Sequence, residues 1–92
     1  MPYRYETERP NLFTDEGQRR FLEIRDRADR LLRVAGAATL GKLLGGATGD
    51  SFALIACVDR LVELGELRRV DSRDVASQHH VYVGTGKLGA PL

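Results

Sequence analysis

The sequence predicts a small α+β domain that is mainly helical, and three observations indicate this class. Apolar residues recur at spacings of three and four between Phe21 and Ala35, which is the pattern of one face of a helix. A similar spacing recurs between Leu54 and Leu61. After Gly65 the pattern changes to that of a strand. Ninety-two residues are enough for one such domain and leave little length for a second.

Residues 1–13 are predicted to form an extended N-terminal arm and not a helix. Tyr3, Tyr5 and Thr7 alternate with charged residues, which is typical of an edge strand. Pro10 closes the segment, because proline lacks the N–H that a central strand needs.

A helix of about five to six turns is predicted from Thr14 to Gly36. Asp15 and Gln18 have the spacing of a capping pair. The inward face is formed by Phe21, Ile24, Ala28, Leu31 and Ala35. On the outer face arginines and acids lie four residues apart in the pairs Arg19 with Glu23, Glu23 with Arg27, Asp26 with Arg30, and Asp29 with Arg33. This spacing favours a solvated surface of ion pairs, and a nucleic-acid surface is the alternative.

Two further helices are predicted before Gly65. Thr39 can cap a short second helix, whose inward residues are Leu40, Leu43 and Leu44. The following turn contains Gly45, Gly46 and Gly49. Asp50 or Ser51 then caps a third helix, which runs to Leu64 with Leu54, Val58, Leu61 and Val62 inward.

A two-stranded β-hairpin is predicted to follow the third helix. Gly65 is expected to have a positive φ and to end that helix. One strand covers residues 67–70, a polar loop residues 71–78, and the return strand residues 79–83. Residues 85–92 are expected to form a flexible tail.

The order helix, helix-turn-helix, hairpin over residues 14–84 resembles the winged helix-turn-helix family. The segment Val-Asp-Arg-Leu-Val-Glu-Leu-Gly-Glu-Leu of residues 58–67 looks like the end of the third helix and the entry into the wing in many bacterial regulators. The resemblance implies a winged-helix domain that binds double-stranded DNA as a small transcriptional regulator. It also implies that the third helix lies in the major groove.

This resemblance assigns roles to particular polar residues. Ser51 and Arg60 would contact bases, and Thr48 would lie near the groove entrance. The phosphate contacts would come from Lys42, Arg68, Arg69 and Arg73.

The predicted outward face of the third helix is poor in groups that contact DNA, which keeps a second hypothesis open. Arg60 is its only good donor, and Asp50, Asp59 and Glu63 would repel phosphates. The alternative is a protein-interaction or homodimerisation module without DNA binding, whose apolar patch consists of Phe52, Ala53 and Ala56.

The chain's composition and motifs argue against several other classes. The formal net charge of +1 provides no global attraction to nucleic acid, so any attraction must come from a local patch. A single cysteine and the lack of a long apolar run indicate a cytoplasmic protein without a membrane segment. No arrangement of residues suggests catalysis, so the chain is expected not to be an enzyme and to need no cofactor.

Two apparent ligand sites are rejected on chemical grounds. Residues 36–42 match the first seven positions of a phosphate-binding loop, but Leu43 stands where a magnesium-binding hydroxyl is required, so no nucleotide is expected. A metal site is not expected either, since His79 and His80 would point to opposite faces of a strand. Cys57 is expected to be a small buried hydrophobe.

Overall fold

The computed structural model describes residues 3–45, 47, 50–70 and 79–88. The helices in this part of the chain are α1 (Tyr5–Glu8), a 3-10 helix (Arg9–Phe13), α2 (Asp15–Ala35), α3 (Leu40–Leu44) and α4 (Ser51–Glu63). The strands are β1 (Ala37–Thr39), β2 (Leu67–Arg69) and β3 (Val81–Gly84). They form one antiparallel sheet in the order β1-β3-β2. The predicted α+β, mainly helical class is confirmed.

The long first helix of the prediction corresponds to α2. Its cap is the Thr14 hydroxyl, which accepts a hydrogen bond from the Gly17 N–H at 3.0 Å, and not the predicted Asp15. Gly36 ends the helix with a φ of 78°. The buried face contains Phe21, Ile24, Ala28 and Leu32, whereas Leu31 is half-buried and Ala35 is exposed. Near the carboxyl end of α2, the predicted buried face is therefore rotated slightly from the observed one.

The predicted helix pair is confirmed as α3 and α4. The Thr39 hydroxyl accepts from the Lys42 N–H, and the Asp50 carboxylate accepts from the Phe52 N–H. Leu40 and Leu43 are buried. Of the three glycines predicted in the turn, Gly46 and Gly49 lie outside the described residues.

The sheet contains a third strand, so the predicted two-stranded hairpin was incomplete. β1 pairs with β3 in the register Ala37 with Val83 and Thr39 with Val81. Residues 36–42, whose spacing matches a phosphate-binding loop, thus include a strand. The three residues of β1 are too few to show the alternation of inward and outward side chains that indicates a strand. Their partners in β3 lie more than forty positions away, so no local pattern in the sequence reveals the pairing.

The end of the described chain is packed and not a free tail at residues 85–88. Thr85 donates a backbone hydrogen bond to the Glu66 carbonyl, and its hydroxyl donates to the Gly65 carbonyl. Leu88 is half-buried against the core. The predicted tail at 89–92 and the predicted loop at 71–78 lie outside the described residues.

The N-terminal segment, residues 3–13, is helical from Tyr5 to Phe13, so the predicted extended arm was wrong there. α1 and the 3-10 helix follow each other without a break, and both pack against α4. Pro10 lies in the first turn of the 3-10 helix, where its missing N–H has no partner to lose. Alternation of polar and aromatic residues was a misleading signal here, because a four-residue helix is too short to have a recognisable face.

A substitution at Gly65 tests the predicted positive φ, which the structure confirms at 78°. Gly65→Ala should destabilise the protein by about 1 kcal/mol, because a side chain disfavours the left-handed conformation. An added Cβ would meet no atom closer than 3.9 Å, so the effect is conformational. Gly86→Ala is the control, since Gly86 lacks a positive φ and has open space around it. Equal urea midpoints for the two variants would contradict this account.

Candidate nucleic-acid interface

Most arginines near α2 and α4 are neutralised by carboxylates. The ion pairs among the described residues are Arg9–Glu63, Arg20–Glu16, Arg25–Glu66, Arg30–Asp26, Arg33–Asp29 and Arg60–Glu63. Two of the four pairs predicted on α2 are therefore confirmed, those of Asp26 and Asp29. At these two pairs on the solvated face of α2, the positive charge of each arginine is balanced by a carboxylate.

Arg27 on α2 binds a backbone carbonyl and not a carboxylate. Its guanidinium does not pair with Glu23 but donates two hydrogen bonds to the Lys42 carbonyl, at 3.1 and 3.2 Å. Because a carbonyl oxygen carries no formal charge, Arg27 keeps its net positive charge. It lines a cleft of about 650 Å³ together with Lys42 and His79.

Further basic side chains continue from this cleft. His80 follows His79 in the chain, and its Nδ1 lies 3.5 Å from Nη1 of Arg69. Arg69, Lys42 and His79 are exposed, whereas Arg27 and His80 are half-buried. We call this continuous set the basic strip: Arg27, Lys42, His79, His80 and Arg69. Its members come from α2, α3, the end of β2 and the two residues just before β3.

Arg68 and Arg69 lie on opposite faces of β2. The sequence predicted that both contact phosphates, but the two side chains cannot contribute to the same surface. Successive strand residues point to opposite sides of a sheet. Arg69 lies opposite the buried Tyr82, and Arg68 lies opposite Val83 on the outer face. Only Arg69 belongs to the basic strip. Of the other predicted DNA contacts, Ser51 is exposed at the start of α4, while Thr48 and Arg73 lie outside the described residues.

The predicted outward face of α4 is only partly exposed. Leu54, Val58 and Leu61 are buried as expected, but Ala56 is also fully buried, and Val62, predicted inward, is 37 % exposed. Phe52 and Ala53 are half-buried. The predicted docking patch is thus only partly exposed.

The N-terminal segment covers this face. The Tyr3 hydroxyl donates to Asp59 at 2.6 Å, and the Tyr5 hydroxyl donates to Glu63 at 2.9 Å. Arg9 also donates to both oxygens of Glu63, at 3.1 Å each. Two of the three carboxylates that were expected to repel DNA, Asp59 and Glu63, are therefore bound by groups of the same chain.

Aromatic rings complete the contact between the N-terminal segment and α4. The Tyr3 ring meets the Phe52 ring edge to face, with centroids 5.5 Å apart. The guanidinium groups of Arg9 and Arg60 lie 5.2 and 5.3 Å from the centre of the Phe13 ring. Arg60 also donates to Glu63. The one good base-reading donor predicted on this helix is thus held by Phe13 and Glu63.

The ionisable groups in this contact respond to burial and to each other. Burial raises the pKa of Tyr3 well above its ordinary value, and the hydrogen bond to Asp59 raises it further. Burial likewise raises the pKa of the Asp59 carboxyl, although the Tyr3 hydroxyl, Arg69 and His80 oppose this. Hydrogen bonds from Arg60, Tyr5 and Arg9 keep the pKa of Glu63 below its usual range. The tyrosines therefore stay protonated as donors at neutral pH.

Cys57 provides a test of how tightly the N-terminal segment is packed. It is fully buried, and burial raises the pKa of its thiol to about 11. At pH 8 this alone reduces the reactive thiolate by about 100-fold relative to an exposed cysteine. A thiol reagent should react slowly with the native protein and quickly in 6 M guanidinium. Fast native labelling would mean that this side of α4 is open to solvent.

The residues that the structure describes contain neither a membrane-spanning helix nor a grouped metal site. No helix there is long and apolar enough to cross a membrane. In the same ranges no three histidine, cysteine or acidic residues are grouped so that they could hold a metal ion. Comparisons of the chain with protein-family models, curated proteins and solved structures give no match.

No local pattern in the sequence indicated the basic strip. Arg27 was assigned to an ion pair with Glu23, and the histidines were considered only as metal ligands. The one available clue was negative: Lys42 and Arg69 have no acid at helical spacing four residues away. The contacts of Tyr3 and Tyr5 with α4 span 56 and 58 positions and could not be read from local patterns.

Proposed function

We propose that this protein is a winged-helix module that binds double-stranded DNA through the phosphate contacts of the basic strip. The observation that carries the proposal is the sorting of charge. Most of the other arginines on α2 and α4 are paired with acids, while Arg27, Lys42 and Arg69 lie together with two histidines. Three cations are thereby brought close together, as phosphate binding requires.

The arrangement of elements supports the winged-helix interpretation. A long helix, a helix pair and a hairpin follow one another in the expected order, and β1 joins the hairpin to the start of α3. Because of this pairing, the Leu40 N–H donates to the His80 carbonyl, which places the hairpin beside α3. The basic strip is thereby assembled from three elements that are distant in sequence.

The protein-interaction alternative has less support. Its three residues Phe52, Ala53 and Ala56 are half-buried or fully buried, and the N-terminal segment already contacts this face. An outside partner would first have to displace that segment. Such displacement would lose the hydrogen bonds to Asp59 and Glu63.

Fluorescence anisotropy with a labelled mixed-sequence duplex tests the proposal. The strip holds three permanent cations, so log affinity should fall with log salt with a slope of roughly −3. Affinity should drop about 40-fold between 50 and 200 mM salt. Lys42→Ala and Arg69→Ala should each weaken binding and make the slope shallower by about 0.9.

Two variants with the same loss of charge are the controls. Arg68→Ala removes the neighbouring arginine from the opposite face of β2, and Arg33→Ala removes an exposed arginine that is paired with Asp29. Both should bind almost as well as the parent protein. The proposal would be contradicted if the parent protein did not bind the duplex at 50 mM salt. Equal losses of affinity for the strip variants and the control variants would contradict it as well.

A further inference from the structure

α4 and the N-terminal segment that packs against it are together too wide for the major groove of DNA. A helix with its side chains has a diameter of about 10–12 Å, and the major groove of B-DNA is about 12 Å wide. α1 and the 3-10 helix lie along α4, next to Ala53, Ala56 and Arg60. The groove could hold α4 alone, but not α4 together with a second helical layer on its side.

The segment is anchored at its carboxyl end as well as along α4. Leu12 is buried in the core, and its carbonyl accepts a hydrogen bond from the Gln18 side chain at 3.0 Å. The backbone passes so close to α2 that a Cβ at Gly17 would lie 2.0 Å from the Asn11 carbonyl oxygen. Displacement of the whole segment would therefore disrupt the core and not only surface contacts.

The exposed remainder of α4 has few groups that can read bases. Ser51 and Val62 are exposed, and Ile55 is half-buried. Asp59, between them, already accepts the Tyr3 hydrogen bond. Bidentate contacts to bases require arginine, lysine, asparagine or glutamine, and none of these residues lies on this stripe.

We infer that the protein binds the phosphodiester backbone of duplex DNA without reading its base sequence, and that α4 stays under the N-terminal segment in the complex. This inference rests on the proposed DNA binding. Phosphate contacts set affinity and position, whereas base contacts set specificity. The basic strip supplies phosphate contacts, whereas α4, covered by the N-terminal segment, cannot make base contacts.

Affinity for three duplexes of equal length tests the lack of sequence reading. An A·T-only, a G·C-only and a mixed duplex should bind within about threefold of each other at one salt concentration. A preference of 30-fold or more for one of a randomised pool of duplexes would overturn the inference while leaving DNA binding intact. Failure of every duplex to bind at 50 mM salt would instead refute the proposed function, and the inference with it.

Cys57 reports whether the N-terminal segment moves. Its side chain lies under Glu8, Asn11 and Leu12, so its labelling rate should increase when the segment lifts. A saturating duplex should leave the rate unchanged or lower it. An increase of tenfold or more on DNA binding would show that α4 is uncovered in the complex, contrary to the inference.

A double variant tests whether the N-terminal segment stays on α4 during DNA binding or inhibits DNA binding by covering α4. Tyr3→Phe with Tyr5→Phe removes both hydroxyl contacts to α4 and replaces no residue of the basic strip. Cys57 labelling should become faster, and the affinity for the mixed duplex should stay within twofold. A rise in affinity of tenfold or more would mean that the segment opposes DNA entry at α4, which would overturn the inference.

Discussion

Leu61→Ala should destabilise the protein by about 2–5 kcal/mol, which is the usual range for removing a fully buried leucine from a core. Leu61 has no exposed surface and belongs to the single cluster of buried residues that joins α2, α4 and the sheet. Truncation loses the transfer free energy of the side chain and leaves a cavity. Urea unfolding followed by circular dichroism measures the loss.

The adjacent residue provides a matched control for this variant. Val62 occupies the next position on α4 but is 37 % exposed, so Val62→Ala should change the free energy of unfolding by less than about 1 kcal/mol. Similar losses for both variants would contradict the orientation of α4. Since the sequence placed Val62 inward, the comparison also distinguishes the structure from the prediction.

Glu66→Ala should cost about 3 kcal/mol, because it leaves a nearly buried arginine without its partner. Arg25 Nε donates to Glu66 Oε1 at 2.7 Å, and the two side chains are only 14 % and 5 % exposed. The pair connects α2 to the residue just before β2. Loss of the carboxylate should therefore loosen the contact between helix and sheet.

An exposed ion pair on α2 is the control for Glu66. Asp26 and Arg30 are 67 % and 70 % exposed, so Asp26→Ala should change stability by less than about 1 kcal/mol. Thermal unfolding of both variants at one pH and salt concentration gives the comparison. An equally small effect at Glu66 would mean that its burial contributes little, and would contradict this interpretation.

The location of each charge, and not the total, determines what this surface can bind. The net charge of +1 predicted no general attraction to nucleic acid. In the structure, Glu63 accepts from Tyr5, Arg9 and Arg60, which gathers charge of both signs at α4. Two members of the basic strip, Arg69 and His80, also face an acid of α4, since both act to lower the pKa of the Asp59 carboxyl.

The helices with strong local signals were predictable. α2 and α4 have long apolar faces, their starts have capping residues, and Gly36 and Gly65 end them with positive φ. Such signals depend on residues within one or two turns of each other. Buried Leu54, Val58 and Leu61 follow from the same spacing.

Local spacing and capping chemistry specify the helix pair, the hairpin that follows it and the buried Leu54, Val58 and Leu61 of α4, so these features can be predicted from the sequence. Which surface remains open depends on the tertiary structure. Tyr3 reaches Asp59 across 56 positions, and β1 pairs with β3 across more than forty. Contacts this distant depend on how the elements pack, so they fixed both the cover on α4 and the meeting of Lys42 with His79.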